Sequence, residues 1–349
     1  MSNLVNDIRG AGHPLDGLAR PLHDLRISVM DRCNFRCPYC MPKEQFHDHY
    51  PFLRSSERLS FDEIVRLARV FAALGVRKLR LTGGEPLLRA NLADLVGDLS
   101  GVPGILDLAL TTNGVLLGQH AVDLFANGLK RVTVSLDTLD PELFKRMSGG
   151  FGALKQVLEG IDAAIDAGLA PIKVNAVIER GVNDHTILDL LDYFRGRPVI
   201  VRFIEFMDVG NRNAWSPERV VPSRELVERI QARWPIHPIA QNYQGEVAKR
   251  WRFADGAGEL GFISSVTQPF CGACNRARLS SEGRFFTCLF ATEGLDLRAA
   301  LRGSANDEEL EERIRSAWRS RADRYSELRD SLRRSEPAGK KIEMFYIGG

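Results

Sequence analysis

The chain contains six cysteines, and they fall into two groups of three. Cys33, Cys37 and Cys40 are spaced C-x3-C-x2-C, and Cys271, Cys274 and Cys288 are spaced C-x2-C-x13-C. Clustered thiols in a chain without a secretory leader are more often metal ligands than disulfides. A structural zinc ion wants four ligands in a tetrahedron, and each group offers three sulfurs. A 4Fe–4S cluster takes one ligand per iron, so three cysteines leave one iron open to an exogenous ligand. The zinc alternative is two Cys3His sites, with His47 or His49 completing the first. No histidine stands near the second group, and C-x3-C-x2-C is tight for a zinc finger.

Both groups need a scaffold. A chain of 349 residues, 44% hydrophobic and 26% charged, can bury a sizeable core as one large domain or two modest ones. The net charge of +2 gives no global field toward nucleic acid or a membrane surface, so any anion site must be built locally. No apolar run approaches the ~20 residues that span a bilayer. Met1 to Arg20 has no apolar leader core. The expectation is a cytoplasmic protein with neither nucleic acid nor membrane as partner.

Residues 1–24 lack periodicity and are expected to form a flexible lead-in. Leu25 to Met30 is β-prone and runs into the first cysteine group. Ser60, with Glu63 three residues on, forms a capping box for a helix that Gly75 stops. Strands follow at Lys78–Leu81, Ile105–Leu110, Arg131–Leu136, Pro171–Ile178 and Val199–Phe206, each with a helix after it. Six strand–helix units predict an α/β fold, either a parallel β/α barrel or a doubly wound sheet. In such barrels function collects at the C-terminal ends of the strands. The first cysteine group, Gly83-Gly84-Glu85-Pro86, Thr111-Thr112-Asn113-Gly114, Ser135-Leu136-Asp137 and Glu205-Phe206-Met207 all fall there. Later in the chain the pattern changes to two hairpins, one turning at Asp255-Gly256 and one at Ser280 to Gly283. The second sets Cys288 opposite Asn275 or Arg276, hence close to Cys274. The divisions read as a lead-in at 1–24, a barrel at 25–235, and a C-terminal α+β region at 236–349 ending in Gly348-Gly349.

Several cations converge on these strand ends. Arg276 and Arg278 stand two apart on a strand and so share a face. Arg26 ends up near the first cysteine group, Lys78 and Arg80 share the parity of the second strand, and Lys173 opens the fifth. Any one alone reads as a solvated surface charge. As a set they point to a nucleotide site, because arginine's planar fork suits phosphate and purine edges.

With Tyr39 directly before its last cysteine, the first group resembles the signature of the radical S-adenosylmethionine (SAM) superfamily. Gly83-Gly84-Glu85-Pro86 resembles that superfamily's motif for the SAM amino group. The resemblance implies a partial (β/α)6 barrel and a 4Fe–4S cluster whose open iron binds SAM and whose electron cleaves it to a 5′-deoxyadenosyl radical. The second cysteine group narrows the likeness. With Leu25-Arg26-Ile27-Ser28, Arg77-Lys78-Leu79-Arg80, the run from Arg202 to Gly210 and the Gly348-Gly349 end, the chain resembles the GTP 3′,8-cyclases of molybdenum cofactor biosynthesis (MoaA type) from Leu22 onward. Met30 and Asn275 are small departures, standing where a threonine and a small hydroxyl residue are expected.

That resemblance implies roles residue by residue. Cys33, Cys37 and Cys40 hold the SAM-cleaving cluster, while Tyr39, Gly84, Ser135 and Met207 contact SAM. Cys271, Cys274 and Cys288 hold a second 4Fe–4S cluster facing the guanine, in the C-terminal extension. Arg26, Arg80, Thr111, Lys173, Arg276, Ala277 and Arg278 bind GTP, with Arg276 and Arg278 also counted as catalytic. The implied reaction removes the ribose 3′ hydrogen atom, joins the C3′ radical to C8, and after reduction by one electron and protonation yields 3′,8-cyclo-7,8-dihydro-GTP, the first step toward molybdopterin. It further implies a homodimer, an electron donor of flavodoxin or ferredoxin type, and a cyclic pyranopterin monophosphate synthase that takes the product. Two other readings stay open: a dual-cluster radical SAM enzyme that modifies a peptide, and a zinc-binding module without catalysis. The thin Gly-Gly end could enter a pocket, although a disordered terminus is the commoner use of such a segment.

Overall fold

The alternation read from the sequence is present as six parallel strands with helices between them. The computed structural model describes residues 13–47, 49–335 and 341–348. β1 (Asp24–Met30) leads to α1 (Phe61–Ala73), β2 (Lys78–Gly83) to α2 (Leu92–Ser100), and β3 (Asp107–Thr112) to α3 (Leu117–Ala126). β4 (Arg131–Ser135) leads to α4 (Pro141–Met147) and α5 (Leu154–Asp166), β5 (Ile172–Ile178) to α6 (Ile187–Phe194), and β6 (Val199–Glu205) to α7 (Ser223–Gln231). The capping box of α1 is formed: Ser60 Oγ accepts from Glu63 N–H at 3.1 Å, and the Glu63 carboxylate accepts from Ser60 N–H at 2.7 Å.

β1 to β6 are hydrogen-bonded in chain order, every neighbouring pair parallel. Right-handed crossovers that always step in the same direction put every helix on one face. That arrangement is a barrel wall, which decides against the doubly wound alternative. The wall stays open, because β1 pairs with β10 (Arg276–Leu279) and β6 pairs with β9 (Glu259–Ile263) instead of with each other.

The C-terminal region extends both edges of this same sheet. β7 (Ile236–Pro238) and β8 (Lys249–Phe253) lie beyond β9, and β11 (Arg284–Phe286) and β12 (Leu295–Asp296) lie beyond β10, making twelve strands among the described residues. Both expected hairpins are present as antiparallel pairs, β8 with β9 and β10 with β11. The register Arg278↔Phe286, continued two residues, sets Cys288 opposite Arg276. α8 (Arg298–Arg302), α9 (Asp307–Arg319), α10 (Tyr325–Ser335) and α11 (Met344–Ile347) complete the chain. No helix among the described residues is long and apolar enough to cross a membrane.

Side-chain alternation sorts the strands into two faces. Leu25, Ile27, Leu79, Leu81, Val174, Val201, Ala277 and Leu279 belong to the hydrophobic core under the helices. Their neighbours Arg26, Arg80, Lys173, Arg202, Arg276 and Arg278 line the interior. An interior left polar along so many strands is a ligand chamber and not a packed core.

The lead-in differs from its expectation. Residues 1–12 lie outside the described residues, but residues 13–23 are built into the fold: Leu22 is 1% exposed, and Asp16 and Arg20 are buried. Asp16 accepts from Arg20 Nε at 2.6 Å and from Arg321 Nη1 at 3.1 Å. The partner that orders this segment stands 305 positions away, so local periodicity carries no trace of it.

Candidate functional site

A cavity of about 330 Å3 opens at the C-terminal ends of the strands, and all six cysteines line it. All six are free thiols and half-buried. No histidine lines it; His47 and His49 are exposed and lie against each other. A sulfur-only donor set of three thiols at each end fits two iron–sulfur clusters and removes the histidine that the zinc alternative requires. Among the described residues no three His, Cys, Asp or Glu side chains come together as a single-ion site.

At the first end, Cys33 to Cys40 leave β1 in a loop stapled by Arg36. That side chain donates to the carbonyls of Cys33 at 2.7 Å, Phe35 at 2.8 Å and Phe46 at 2.6 Å. The loop lies directly on Gly83 and Gly84. Glu85 N–H donates to Arg32 O at 2.8 Å, and a Cβ on Gly84 would stand 2.2 Å from that oxygen. The glycines of Gly83-Gly84-Glu85-Pro86 are thus required by the approach of the cysteine loop itself, besides any ligand. Glu85, missing from the expected contacts, is 1% exposed and ties β2 to β3: it accepts from Leu87 N–H, Thr112 Oγ1 and Asn113 N–H at 2.7–3.0 Å. Burial pushes its carboxyl up to about 7 in spite of those bonds. Tyr39 OH donates to Asp137 at 2.7 Å, and Asp137 also accepts from Val177 N–H at 2.8 Å. Burial raises Asp137 to about 6. Tyr39, Gly84, Ser135 and Met207 all line the cavity.

The second end is held by buried charge. Arg20 Nη1 donates to Cys271 O at 2.7 Å and to Asp323 O at 2.9 Å, while Arg321 Nη1 donates to Cys274 O at 2.8 Å. Asp16 neutralises both guanidiniums. Arg276 Nη2 reaches Cys274 Sγ at 3.2 Å, and Arg276 Nε is buried with no hydrogen-bond partner among the described residues. Burial alone would raise Cys274, yet Arg276 and Arg321 outweigh it and hold the thiol down to about 6. Cys288 is instead pushed up to about 11, by burial first and by Asp323 after it.

Between the ends runs a wall of cations set by strand register. Arg278, Arg26 and Arg80 stand side by side on β10, β1 and β2. Arg80 donates to Thr111 Oγ1 at 2.9 Å and Thr133 Oγ1 at 3.1 Å; Arg202 donates to Asn175 Oδ1 at 2.9 Å; Lys78 donates to Tyr243 OH at 2.6 Å. Burial and mutual repulsion bring Lys173 down to about 6, Arg202 to about 9 and Arg278 to about 10. Such crowding is unfavourable until a polyanion enters. Arg26, Arg80, Thr111, Lys173, Arg276 and Arg278 therefore all meet in the cavity. Ala277 does not: its side chain is fully buried in the core under the helices, because it has the opposite parity on β10. Arg202, Tyr243 and Asp137 are cavity residues that the expected contact set left out. Arg202 was legible as the cavity-parity residue of β6, whereas Tyr243 sits in an irregular loop without a signal. Glu205, at the same strand end, turns away. It is 1% exposed and accepts from the N–H groups of Ser223, Val266 and Thr267.

The C-terminal segment touches both ends. Phe345 packs on Met41 and Phe46, and its backbone N–H bonds the Cys40 sulfur. Gly348 O accepts from Arg278 Nε at 3.2 Å. Gly348 has φ +72°, and a Cβ there would stand 2.1 Å from Thr82 Cγ2, so no other residue fits. Gly349 lies outside the described residues.

The sequence model of the radical SAM superfamily matches residues 27–194, and that of the molybdenum cofactor synthesis C-terminal region matches residues 199–327. A GTP 3′,8-cyclase of Xanthomonas axonopodis pv. citri is 55% identical over 335 residues, covering 96% of this chain and 98% of the relative. Another, of Staphylococcus epidermidis, is 48% identical over 335 residues with the same coverages. The chain belongs to the GTP 3′,8-cyclase family. As a member of the radical SAM superfamily it is an enzyme built around a 4Fe–4S cluster and SAM. Streptococcus suis SuiB, solved with its precursor peptide SuiA, has a similar fold, with a TM-score of 0.58 at 15% identity, covering 93% of this chain and 75% of that one. The junction of the two family matches falls between α6 and β6, earlier than the expected division at 235.

Proposed function

We propose that this enzyme converts GTP to 3′,8-cyclo-7,8-dihydro-GTP, with SAM at one end of a single cavity and GTP at the other. The observation that carries this reading is the charge polarity between the two cysteine groups. SAM brings a sulfonium and an ammonium, and the buried carboxyls Glu85 and Asp137 stand at the first end. GTP brings a triphosphate, and Arg26, Lys78, Arg80, Lys173, Arg202, Arg276 and Arg278 stand toward the second. A peptide substrate gives no reason for so many buried cations, which favours the nucleotide over the peptide-modifying alternative.

When bound at Cys33, Cys37 and Cys40, a reduced 4Fe–4S cluster supplies, together with SAM, the 5′-deoxyadenosyl radical that starts the reaction. The chain's own share is positioning. Tyr39, Gly84, Ser135 and Met207 surround SAM. Arg26, Arg80, Lys173, Arg276 and Arg278 clamp the triphosphate, and the Thr111 hydroxyl fixes Arg80. Cys271, Cys274 and Cys288 would hold a second 4Fe–4S cluster at the nucleotide end. Held this way, the ribose 3′ position faces the first end, and C8 stays within reach of C3′ for ring closure. A cytoplasmic setting, where thiols stay reduced, suits all six cysteines. The family resemblance supports a homodimer, a flavodoxin- or ferredoxin-type donor, and a following enzyme that rearranges the cyclised nucleotide.

The test is anaerobic incubation of iron–sulfur-loaded enzyme with SAM, dithionite and GTP. The expected result is 5′-deoxyadenosine formed together with loss of GTP. Formation of 5′-deoxyadenosine that ignores GTP contradicts the reading.

A further inference from the structure

We propose that the phosphate site is open at its far end: past Lys173 and Arg202 the chamber continues into a second, basic pocket, which accepts phosphate carried beyond the third, so that guanine nucleotides with a longer phosphate chain are bound and cyclised. This rests on the function proposed above and names how that site ends.

The second pocket has a volume of about 450 Å3 and lies against the starts of β4, β5 and β6 and against β8 and β9. That volume is within the ~300–1,000 Å3 of small-molecule sites. Exposed Pro171, Pro198 and Asn242 belong to its outer rim. Lys173, Arg202, Glu246 and Ala248 line both this pocket and the first cavity, so the two spaces share one wall. That wall is thin beside Arg202. Gly261, its register partner on β9, has no side chain, and Ala248 contributes only a methyl. A Cβ on Gly261 would stand 3.3 Å from both Ala248 Cβ and Arg202 Cγ, so a larger residue would narrow the passage.

Charge sets the direction in which a nucleotide lies. Arg276, at one end of the row of cations, already has the Cys274 sulfur at 3.2 Å. Arg278, Arg26 and Arg80 follow side by side on β10, β1 and β2. Lys173, on β5, has no hydrogen-bond or ion-pair partner among the described residues, and the charges acting on it are those of Arg202, Arg131, Arg80 and Lys78, all positive. The most negative end of a triphosphate therefore belongs at Lys173 and Arg202, at the edge of the second pocket. Beyond them the positive charge continues. Arg131 stands two residues nearer the strand start than Thr133, the register partner of Lys173. It gives Nε and Nη2 to Asp107, while its Nη1 has no hydrogen-bond partner among the described residues. Arg197 and Arg250 also line the pocket. Its two carboxylates are engaged: Glu259 accepts from Arg250 and Arg252, and Glu246 accepts from the Asn242 N–H at 2.7 Å and side-chain amide at 3.2 Å. Guanidiniums continuous with a triphosphate clamp suit further phosphate oxygens.

The test compares GTP with guanosine 5′-tetraphosphate on loaded enzyme with SAM, by calorimetry and by anaerobic 5′-deoxyadenosine formation with dithionite. The tetraphosphate should bind at least as tightly as GTP, by up to ~10-fold, and should be cyclised. Arg131→Gln should weaken the tetraphosphate ~3- to 10-fold and GTP by less than about twofold. Weaker binding of the tetraphosphate than of GTP to the wild-type enzyme overturns the proposal, because a closed site excludes the fourth phosphate. An equal effect of Arg131→Gln on both nucleotides overturns it as well. If that variant has a lowered melting temperature, Arg250→Gln is read by the same outcomes. GTP that binds without being consumed would instead count against the proposed function, while the ratio of affinities still reads the pocket.

Discussion

Around Cys33, Cys37 and Cys40 the carboxyls of Glu85, Asp137 and Glu343 stand beside Arg36 and Asn113, and burial pushes each of the three thiols above its ordinary value. Around Cys271, Cys274 and Cys288 guanidiniums predominate: Arg276 and Arg321 hold Cys274 down against its burial, while Asp323 adds to the rise of Cys288. The scaffolding differs in the same way. The first group rides on a loop fixed by Arg36 within the loop and by Glu85 N–H and Asn113 from the ends of the neighbouring strands β2 and β3. The second is clamped by Asp16, Arg20 and Arg321, drawn from opposite ends of the chain. One end of the cavity is prepared for a cation and the other for an anion. A chain that binds two oppositely charged molecules side by side needs such a gradient to keep them from exchanging places.

The largest expected effect comes from separating the ends chemically. Cys37→Ser should abolish 5′-deoxyadenosine formation altogether. Cys274→Ser should keep SAM cleavage under dithionite while ending GTP consumption. Equal loss of both activities in both variants would erase the distinction.

Asp16→Asn tests the clamp. Breaking a buried ion pair from one side costs ~3–5 kcal/mol, and here two guanidiniums lose their carboxylate. A thermal melt should show the destabilisation, and iron analysis with EPR should show the second group emptied before the first. Even loss from both groups would mean that the N-terminal segment supports the fold at large.

Arg278→Ala should weaken GTP binding ~10- to 100-fold, from the ~1.5–3 kcal/mol of a charged hydrogen bond, and leave SAM affinity unchanged. Calorimetry with each ligand separates the two. A parallel loss of SAM affinity would mean that the ends are not independent.

The smallest effect is in pH. Burial first, then Arg202, Arg131 and Arg80, hold Lys173 down to about 6, so at neutral pH the free enzyme keeps it mostly uncharged. A bound triphosphate raises its proton affinity, so binding takes up a proton. This contribution is complete below the free-enzyme value and fades as pH rises through the higher value in the complex. GTP affinity should therefore fall as pH rises across neutrality, and Lys173→Met should flatten that slope. An equal slope in the variant would assign the proton elsewhere.

Much of this was legible from the chain because it rests on short-range rules. The six strand–helix units, the capping box at Ser60, both C-terminal hairpins and the proximity of Cys288 to Cys274 follow from periodicity and turn chemistry. The shared faces of Arg276 with Arg278 and of Lys78 with Arg80 follow from the two-residue repeat of a strand. That same repeat rules against the Ala277 side chain as a cavity contact. What stayed hidden depends on long-range meetings. Nothing local marks Asp16 and Arg20 as supports of the second cysteine group, Tyr243 as a partner of Lys78, or Asp137 as the acceptor for Tyr39. The continuation of both barrel edges into the C-terminal region was equally invisible, since strand order is a property of the assembled sheet.

The central claim is that the two cysteine groups are opposite walls of one cavity, so that a radical made at the first acts on the nucleotide held at the second. GTP carrying deuterium at the ribose 3′ position tests it most directly. In a single anaerobic turnover with SAM and dithionite, the deuterium should appear in 5′-deoxyadenosine, with retention of the label traced by mass spectrometry. Recovery of unlabelled 5′-deoxyadenosine while GTP is consumed would contradict the account.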